Sequence, residues 1–163
     1  MTSIIKVDQI QNAAGGVPTA GDLGVNTTGT VLQVVQTYNE NSSMIEASST
    51  GLVASGIQAS ITPKQAGSLI IVSFSVSMVH AHSSAYIKGR MYVNGSIMGG
   101  AGQYQLGYQG FNAHYHPFVF NGKYTATNTN SLMFEPYYQG DGNNVRLVHV
   151  NASYALTLTE IAG

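Results

Sequence analysis

The run of residues 69–82 alternates between two sets of side chains, and this alternation constrains the fold more than any other feature of the sequence. One set is Val72, Phe74, Val76 and Met78, and the other is Ile71, Ser73, Ser75 and Ser77. Neighbouring side chains of a strand point to opposite faces of a sheet, so a period of two residues predicts a strand with one buried face. No window shows sustained helical spacing with caps. The chain is therefore predicted to be all-β.

Shorter runs repeat the pattern between turns that are rich in Gly and Asn. Strands are predicted at residues 31–38, 57–61, 69–82, 86–93, 96–98, 113–120, 131–138 and 145–160, the last run holding two. Turns are predicted at residues 94–95, 121–122 and 140–144, because Asn and Gly tolerate positive φ. Residues 99–110 are predicted to form a loop or an irregular strand. This spacing predicts an antiparallel β-sandwich, and about eight strands favour a jelly roll.

Charged residues make up only 8% of the 163 residues, whereas hydrophobic residues reach 44%. Globular domains usually carry roughly 25% charged residues, and small polar residues fill the difference here. The length suits one domain. A surface with so little charge protects a monomer weakly against association. We therefore expect part of the surface to be covered by other protein chains.

Three classes of partner or location are disfavoured by the sequence. The six Lys and Arg residues are scattered, whereas a phosphate-binding face needs them clustered, so no nucleic-acid partner is expected. No apolar run is long enough to cross a bilayer, so no membrane insertion is expected. The first residues do not resemble a secretory signal, and the absence of Cys fits folding in a reducing cytosol.

Residues 1–30 are predicted to form an extended N-terminal docking arm, and residues 31–163 the sandwich head. Pro and Gly interrupt the arm, which has too few apolar residues for a core of its own. Its apolar residues are unfavourable to leave in water, so we expect the arm to order on a partner. A mobile tail is the alternative. The predicted docking residues are Ile4, Ile5, Val7 and Ile10.

Tyrosine is the dominant aromatic residue, with ten Tyr and no Trp. Its apolar ring and polar tip suit protein interfaces. Tyr137 and Tyr138 are adjacent in a predicted strand and must point to opposite faces. Packing inside the sandwich is the alternative role for any single tyrosine. The predicted oligomer or surface contact residues are Tyr104, Tyr108, Tyr115, Tyr137 and Tyr138.

Two pairs of histidines occupy alternate positions, His80 with His82 and His114 with His116. Residues i and i+2 of a strand share a face, so each pair presents two imidazoles side by side. In a threefold oligomer one pair would supply six nitrogens around the axis, enough for an octahedral metal ion. The favoured interpretation is that the histidines face solvent or an interface and bind no metal, because the motifs are not repeated in series. No cofactor is predicted.

No catalytic constellation is visible in the sequence. The chain has no Cys nucleophile, no Gly-x-Ser-x-Gly elbow and no phosphate loop. Glycoside hydrolysis needs two facing carboxylates, and of the seven acids only Glu135 and Asp141 fall within one predicted hairpin. The protein is therefore predicted to be non-enzymatic.

Three parts of the chain resemble a known group of proteins. Residues 4–12, followed by Gly15 and Gly16, resemble the N-terminal segment of small tail-fibre and structural proteins of tailed phages, most closely those of marine and cyanobacterial phages. Residues 156–163 resemble the last strand of the C1q-like or TNF-like heads that such proteins often carry, and residues 68–96 resemble the middle of those heads. The resemblance implies a homotrimeric jelly-roll head, an N-terminal segment anchored to the virion, and no catalysis.

The resemblance favours a short tail fibre or baseplate appendage on the virion surface, made in the host cytoplasm. The expected partners are two further copies of the chain and, through the arm, other virion proteins. A capsid decoration protein, such as a cement or head-fibre protein, is the alternative placement. A carbohydrate-binding module for host attachment is an alternative of another class, with Tyr108 or Tyr115 as the platform for a host surface glycan.

Overall fold

The structure, a computed structural model, describes residues 15–16, 28–40, 42–47, 50–81, 86–99, 106–109, 114–140 and 145–163. Every regular element in these residues is a β-strand, and every pairing is antiparallel, so the predicted all-β antiparallel class is confirmed. The described residues contain no helix that could cross a membrane. The predicted docking residues Ile4, Ile5, Val7 and Ile10 lie outside the described residues.

The described residues form twelve strands. They are β1 (Val31–Asn39), β2 (Ile45–Ala47), β3 (Val53–Ala54), β4 (Ala59–Ile61), β5 (Leu69–Ala81), β6 (Tyr86–Val93), β7 (Ser96–Ile97), β8 (Leu106–Gln109), β9 (His114–Thr125), β10 (Leu132–Gln139), β11 (Val145–Val148) and β12 (Tyr154–Ile161). The run 145–160 holds two strands, as predicted. The short strands β2 and β3 were not predicted, because two or three residues are too few to establish an alternation.

Sheet 1 is built around the long strand β5. One edge of β5 pairs with β9, from Leu69 opposite Thr125 to Ala81 opposite His114. The other edge pairs first with β12 and then with β11, so these two act as one interrupted strand. β1 and β2 pair in turn with β12 and β11. Sheet 1 therefore has four strand positions, in the order β1/β2, β12/β11, β5 and β9.

Sheet 2 has the same construction around β10 and β6. These two strands pair with each other from Phe134 opposite Val93 to Gln139 opposite Lys88. β3 and β4 share the other edge of β10. β7 and β8 share the other edge of β6. Sheet 2 therefore also has four strand positions, in the order β3/β4, β10, β6 and β7/β8.

The two sheets enclose one hydrophobic core, so the head is a sandwich-like fold. Phe74 and Leu158 of sheet 1 and Phe134 of sheet 2 are all 0% exposed and belong to the same buried cluster. The ring of Tyr124 in β9 contacts the ring of Phe134 in β10 edge to face, with centroids 5.8 Å apart and planes at 83°. This aromatic contact joins the two sheets directly. The strand alternation read from the sequence thus separates the buried face of each sheet from its outer face.

Residues 28–30 lie at the pole where β1 begins and β12 ends. The Gly29 N–H donates to the carbonyl oxygen of Ala162 over 2.9 Å, and the Ala162 N–H donates to the carbonyl oxygen of Thr30 over 2.8 Å. The Thr28 hydroxyl donates to the carbonyl oxygen of Gly163 over 3.4 Å. Because β5 and β9 pair along their whole length, the opposite pole holds the end of β5 and the start of β9.

One of the predicted turns is wrong. Asn94 and Gly95 do form the turn between β6 and β7, with φ of 47° and 76°. Asn121 and Gly122 instead continue β9 and pair with β5. A Cβ added to Gly122 would lie 2.6 Å from the Met98 Cε atom, so this glycine makes room for a core side chain and does not reverse the chain. An Asn-Gly pair does not distinguish these two roles.

Candidate functional site

The two adjacent tyrosines of β10 have different environments. Tyr138 is 2% exposed and packs in the core, so its side chain lies inside the head and not at a contact between proteins. Tyr137 is partly exposed on the outer face of sheet 2. Tyr104 lies outside the described residues. The backbone of Tyr108 lies opposite Ile87 and that of Tyr115 opposite His80, while their side chains lie outside the described part. Their proposed contact roles stay predictions.

The described histidines His80, His114 and His116 lie at the pole opposite residues 28–30. The register of β5 and β9 places His80 opposite Tyr115, His114 opposite Ala81 and His116 opposite Val79, whereas His82 lies outside the described residues. No histidine of one pair is therefore the cross-strand partner of a histidine of the other in this register. Among the side chains that the structure describes, no three His, Asp or Glu lie close enough to hold a metal ion. Metal binding by the histidine pairs stays a prediction.

The part of the outer face of sheet 1 that β1, β12, β5 and β9 form carries little charge, whereas β2 and β11 carry the Glu46–Arg146 ion pair. The residues of this part stand in rows across β1, β12, β5 and β9. Three of the rows are Val34, Thr159, Ile71 and Lys123; Gln36, Thr157, Ser73 and Asn121; and Tyr38, Ala155, Ser75 and Val119. Lys123 is the only charged residue in these rows, which we call the sheet 1 face. The alternation predicts which residues of one strand share a face. Only the pairing register shows which residues of neighbouring strands form a row.

Large apolar side chains lie at both margins of the sheet 1 face. Val34 and Tyr38 on β1 are 58% and 55% exposed, and Val119 on β9 is 60% exposed. The centre consists of smaller side chains such as Ser73 and Ser75, which let another surface approach closely. These three exposed apolar groups share one sheet face that carries little charge, which makes the face a candidate contact surface.

The two edges of sheet 1 are protected differently against pairing with another chain. β9 carries Pro117, which has no N–H to donate, and Lys123. β1 carries neither a proline nor a charge in its 9 residues, and within the described residues it pairs only with β12. Natural proteins place charges and prolines on exposed edge strands to prevent such pairing. The β1 edge is therefore the less protected edge, and it adjoins the sheet 1 face.

The outer face of sheet 2 has a different chemistry. Tyr92 of β6 and Tyr137 of β10 stack on each other, with ring centroids 3.9 Å apart and planes at 23°. Arg90 lies opposite Tyr137 and Lys88 lies opposite Gln139 on the neighbouring strand. All four side chains are partly buried. We call Tyr92, Tyr137, Arg90 and Lys88 the outer cluster.

Glu135 lies beside the outer cluster and is 5% exposed. Its Oε1 atom accepts a hydrogen bond from the Gly56 N–H over 2.8 Å, and its Oε2 atom accepts one from Gln58 Nε2 over 3.1 Å. Both carboxylate oxygens are thus bound to the segment between β3 and β4. This cluster was not predicted from the sequence, although Lys88, Arg90 and Tyr92 are spaced for one face of a strand.

The buried carboxylate of Glu160 is a second feature that the sequence analysis missed. Glu160 is the one charged residue of β12, and it is 0% exposed. Burial acts to raise its pKa, but hydrogen bonds from the side chains of Ser68 and Gln33 and from the N–H groups of Lys64 and Gln65 outweigh burial and lower the pKa below its ordinary value. The ionised carboxylate therefore stabilises the loop between β4 and β5 against sheet 1.

The phenol of Tyr138 should titrate late. Burial, followed by the nearby negative charge of Glu46, raises its pKa to about 12. An unfolded phenol ionises near pH ~10, so the folded state is expected to lose stability as the pH rises from about 10 to about 12. Phenolate absorbance is measured against pH for the wild type and for Tyr138→Phe. The phenol that ionises at the highest pH should be absent from the variant. If the variant retains the late-titrating group, the assignment is wrong.

No protein-family model matches the chain, and no curated protein matches it significantly. The sandwich and its two unlike outer faces are therefore the features that bear on function. One face has Lys123 as the only charged residue in its three rows and has apolar margins, and the other presents a tyrosine pair with two cations.

Proposed function

We propose that the protein is a non-enzymatic structural component of a phage virion. In this proposal three jelly-roll heads associate, the arm of residues 1–30 tethers each head to a neighbouring virion protein, and the trimer forms a short tail fibre or baseplate appendage on the particle surface. The observation that carries the proposal is the sheet 1 face, which is suited to contact with another protein. The phage placement rests on the resemblance of residues 4–12, 68–96 and 156–163.

The strand order supports a jelly roll. When the collinear strands are merged, the chain has eight strand positions, numbered here in chain order. Sheet 1 then holds positions one, eight, three and six, and sheet 2 holds positions two, seven, four and five. Successive positions largely alternate between the two sheets, as in a doubly wound pair of Greek keys.

The charge pattern supports association through sheet 1. Burying the exposed part of Val34, Tyr38 or Val119 would contribute on the order of 1 kcal/mol each, and only Lys123 among the three rows would lose hydration of a charge. An uncharged β1 edge adds backbone groups that another chain can pair with. In a monomer these apolar side chains stay exposed to water, whereas in an oligomer their burial stabilises the contact.

The position of the arm supports the tether. The arm meets the head at one pole, through the bonds of Thr28 and Gly29 to the end of the chain. A head held at this pole would present the opposite pole, with the start of β9 and the end of β5, away from the particle. This arrangement suits an appendage that projects outward.

The association surface is tested by adding charge to both of its margins. We expect the full-length chain to have the mass of a trimer in solution, and the double variant Val34→Lys, Val119→Lys to have the mass of a monomer. A trimer of the double variant would bury six uncompensated charges at the contact, two from each copy. Analytical ultracentrifugation gives the mass, and circular dichroism checks that the fold is retained.

The matched control is Val150→Lys. Val150 is 47% exposed but lies in the turn between β11 and β12, away from the three rows. This variant should remain a trimer. A monomeric wild-type protein, or a double variant that keeps the trimer mass, would contradict association through the sheet 1 face.

A further inference from the structure

The outer cluster places two phenol hydroxyls, a guanidinium and an ammonium group on one small surface. The stacked rings of Tyr92 and Tyr137, 3.9 Å apart, fix the positions of two phenols. The backbones of Arg90 and Tyr137 are directly opposed, and Lys88 lies two residues before Arg90 on β6. In a strand, residues two apart share a face, so Lys88 and Arg90 lie on the same face as the tyrosine pair, with Arg90 next to it and Lys88 beyond Arg90.

We infer that the outer cluster is a binding site for an acidic carbohydrate, recognised through the carboxylate groups of its sugars. A guanidinium and an ammonium supply charge-assisted hydrogen bonds to a carboxylate. Aromatic rings supply apolar contact area with little conformational entropy to lose, and phenol hydroxyls bond to sugar hydroxyls. The combination fits a ligand that is both anionic and rich in hydroxyl groups.

Glu135 does not remove this charge complementarity. Its two oxygens accept hydrogen bonds from Gly56 and Gln58, on the side of β10 away from β6. The side chain is 5% exposed, so little of the carboxylate faces a ligand. The formal charge of Arg90, Lys88 and Glu135 together is still positive.

The site goes beyond the proposed structural role, and its orientation in the particle rests on that role. Sheet 2 lies on the opposite side of the core from the sheet 1 face. Association through sheet 1 would therefore leave the outer cluster on the outside of the oligomer. Binding of sugar by the chain itself does not require the oligomer, so the two proposals are tested separately.

The test is binding of the full-length chain to polygalacturonate, a carboxylated polymer, and to dextran, a neutral one, by isothermal titration calorimetry. We expect binding to polygalacturonate that weakens with added salt, and none to dextran. Arg90→Gln should weaken binding by about tenfold, the loss of one charge-assisted contact. Tyr137→Ala should also weaken it, because the ring stack is lost.

The control variant Lys64→Gln removes the same charge from an exposed loop residue outside both faces. It should bind polygalacturonate like the wild type. Absence of binding to polygalacturonate would overturn the inference. So would an equal loss in Lys64→Gln and Arg90→Gln, which would indicate general electrostatic attraction, or equal binding of dextran, which would indicate that the carboxylate is not recognised.

Discussion

Replacing Glu160 with glutamine should lower the free energy of unfolding by about 2–4 kcal/mol, because buried donors would lose an ionised acceptor. Gln33 Nε2 donates to Glu160 Oε2 over 2.6 Å, and the Lys64 N–H donates to Oε1 over 2.8 Å. The amide nitrogen of a glutamine would face one of these donors with its own hydrogens. Urea denaturation at neutral pH measures the loss.

The same group predicts how stability depends on acidity. The folded pKa of Glu160 is lowered, so its contribution is present above the ordinary carboxyl pKa and is lost as the pH falls through the lowered value. Wild-type stability should therefore fall below pH ~4, and the Glu160→Gln variant should fall less over this range.

Glu46→Gln is the matched control for Glu160→Gln. The Glu46 carboxylate pairs with Arg146 Nε over 3.1 Å, but the two side chains are 36% and 29% exposed. An exposed pair contributes about 0–1 kcal/mol, so this variant should change the free energy of unfolding little. If both substitutions had the same small effect, the Glu160 carboxylate would not be the anchor of the loop between β4 and β5.

Truncating Phe134 to alanine should lower the free energy of unfolding by about 3–5 kcal/mol. Phe134 is 0% exposed, and its removal leaves a cavity between the two sheets. It also removes the edge-to-face contact with Tyr124. Because domains are stable by only about 5–15 kcal/mol, the variant should be close to unfolding at room temperature. Urea denaturation followed by circular dichroism gives the change.

Phe134→Leu separates the cavity from the aromatic contact. Leucine fills most of the space, so the variant should lose about 1.5 kcal/mol or less. A similar loss in both variants would indicate that the cavity collapses, and a small loss in both would mean that Phe134 does not join the sheets as the structure places it.

The alternation of residues 69–82 was sufficient to predict the all-β class, because a period of two fits only a strand with two unlike faces. The same alternation in shorter runs located most of the other strands within a few residues. The turn predicted at Asn121 and Gly122 is wrong because both residues pair with β5, and Gly122 lies close to Met98, which is distant in the chain. Sequence spacing carries no information on such a contact.

The candidate sites were less predictable than the strands. Tyr137 was singled out from the sequence, but its stacking partner Tyr92 lies 45 positions earlier on another strand. The sheet 1 face likewise combines residues from β1, β12, β5 and β9, which only the register aligns. Lys88, Arg90 and Tyr92 could have been grouped by their spacing alone.

The sequence by itself determined the all-β class, the alternation of faces along each strand and the scarcity of charge, since these depend only on neighbouring residues and composition. Tertiary structure alone decided which strands pair and which groups are buried. Glu160 illustrates the difference, because its partners Gln33 and Lys64 are 127 and 96 residues away in the chain. A carboxylate in a strand is ordinarily exposed, and only hydrogen bonds brought from such distances make its burial favourable.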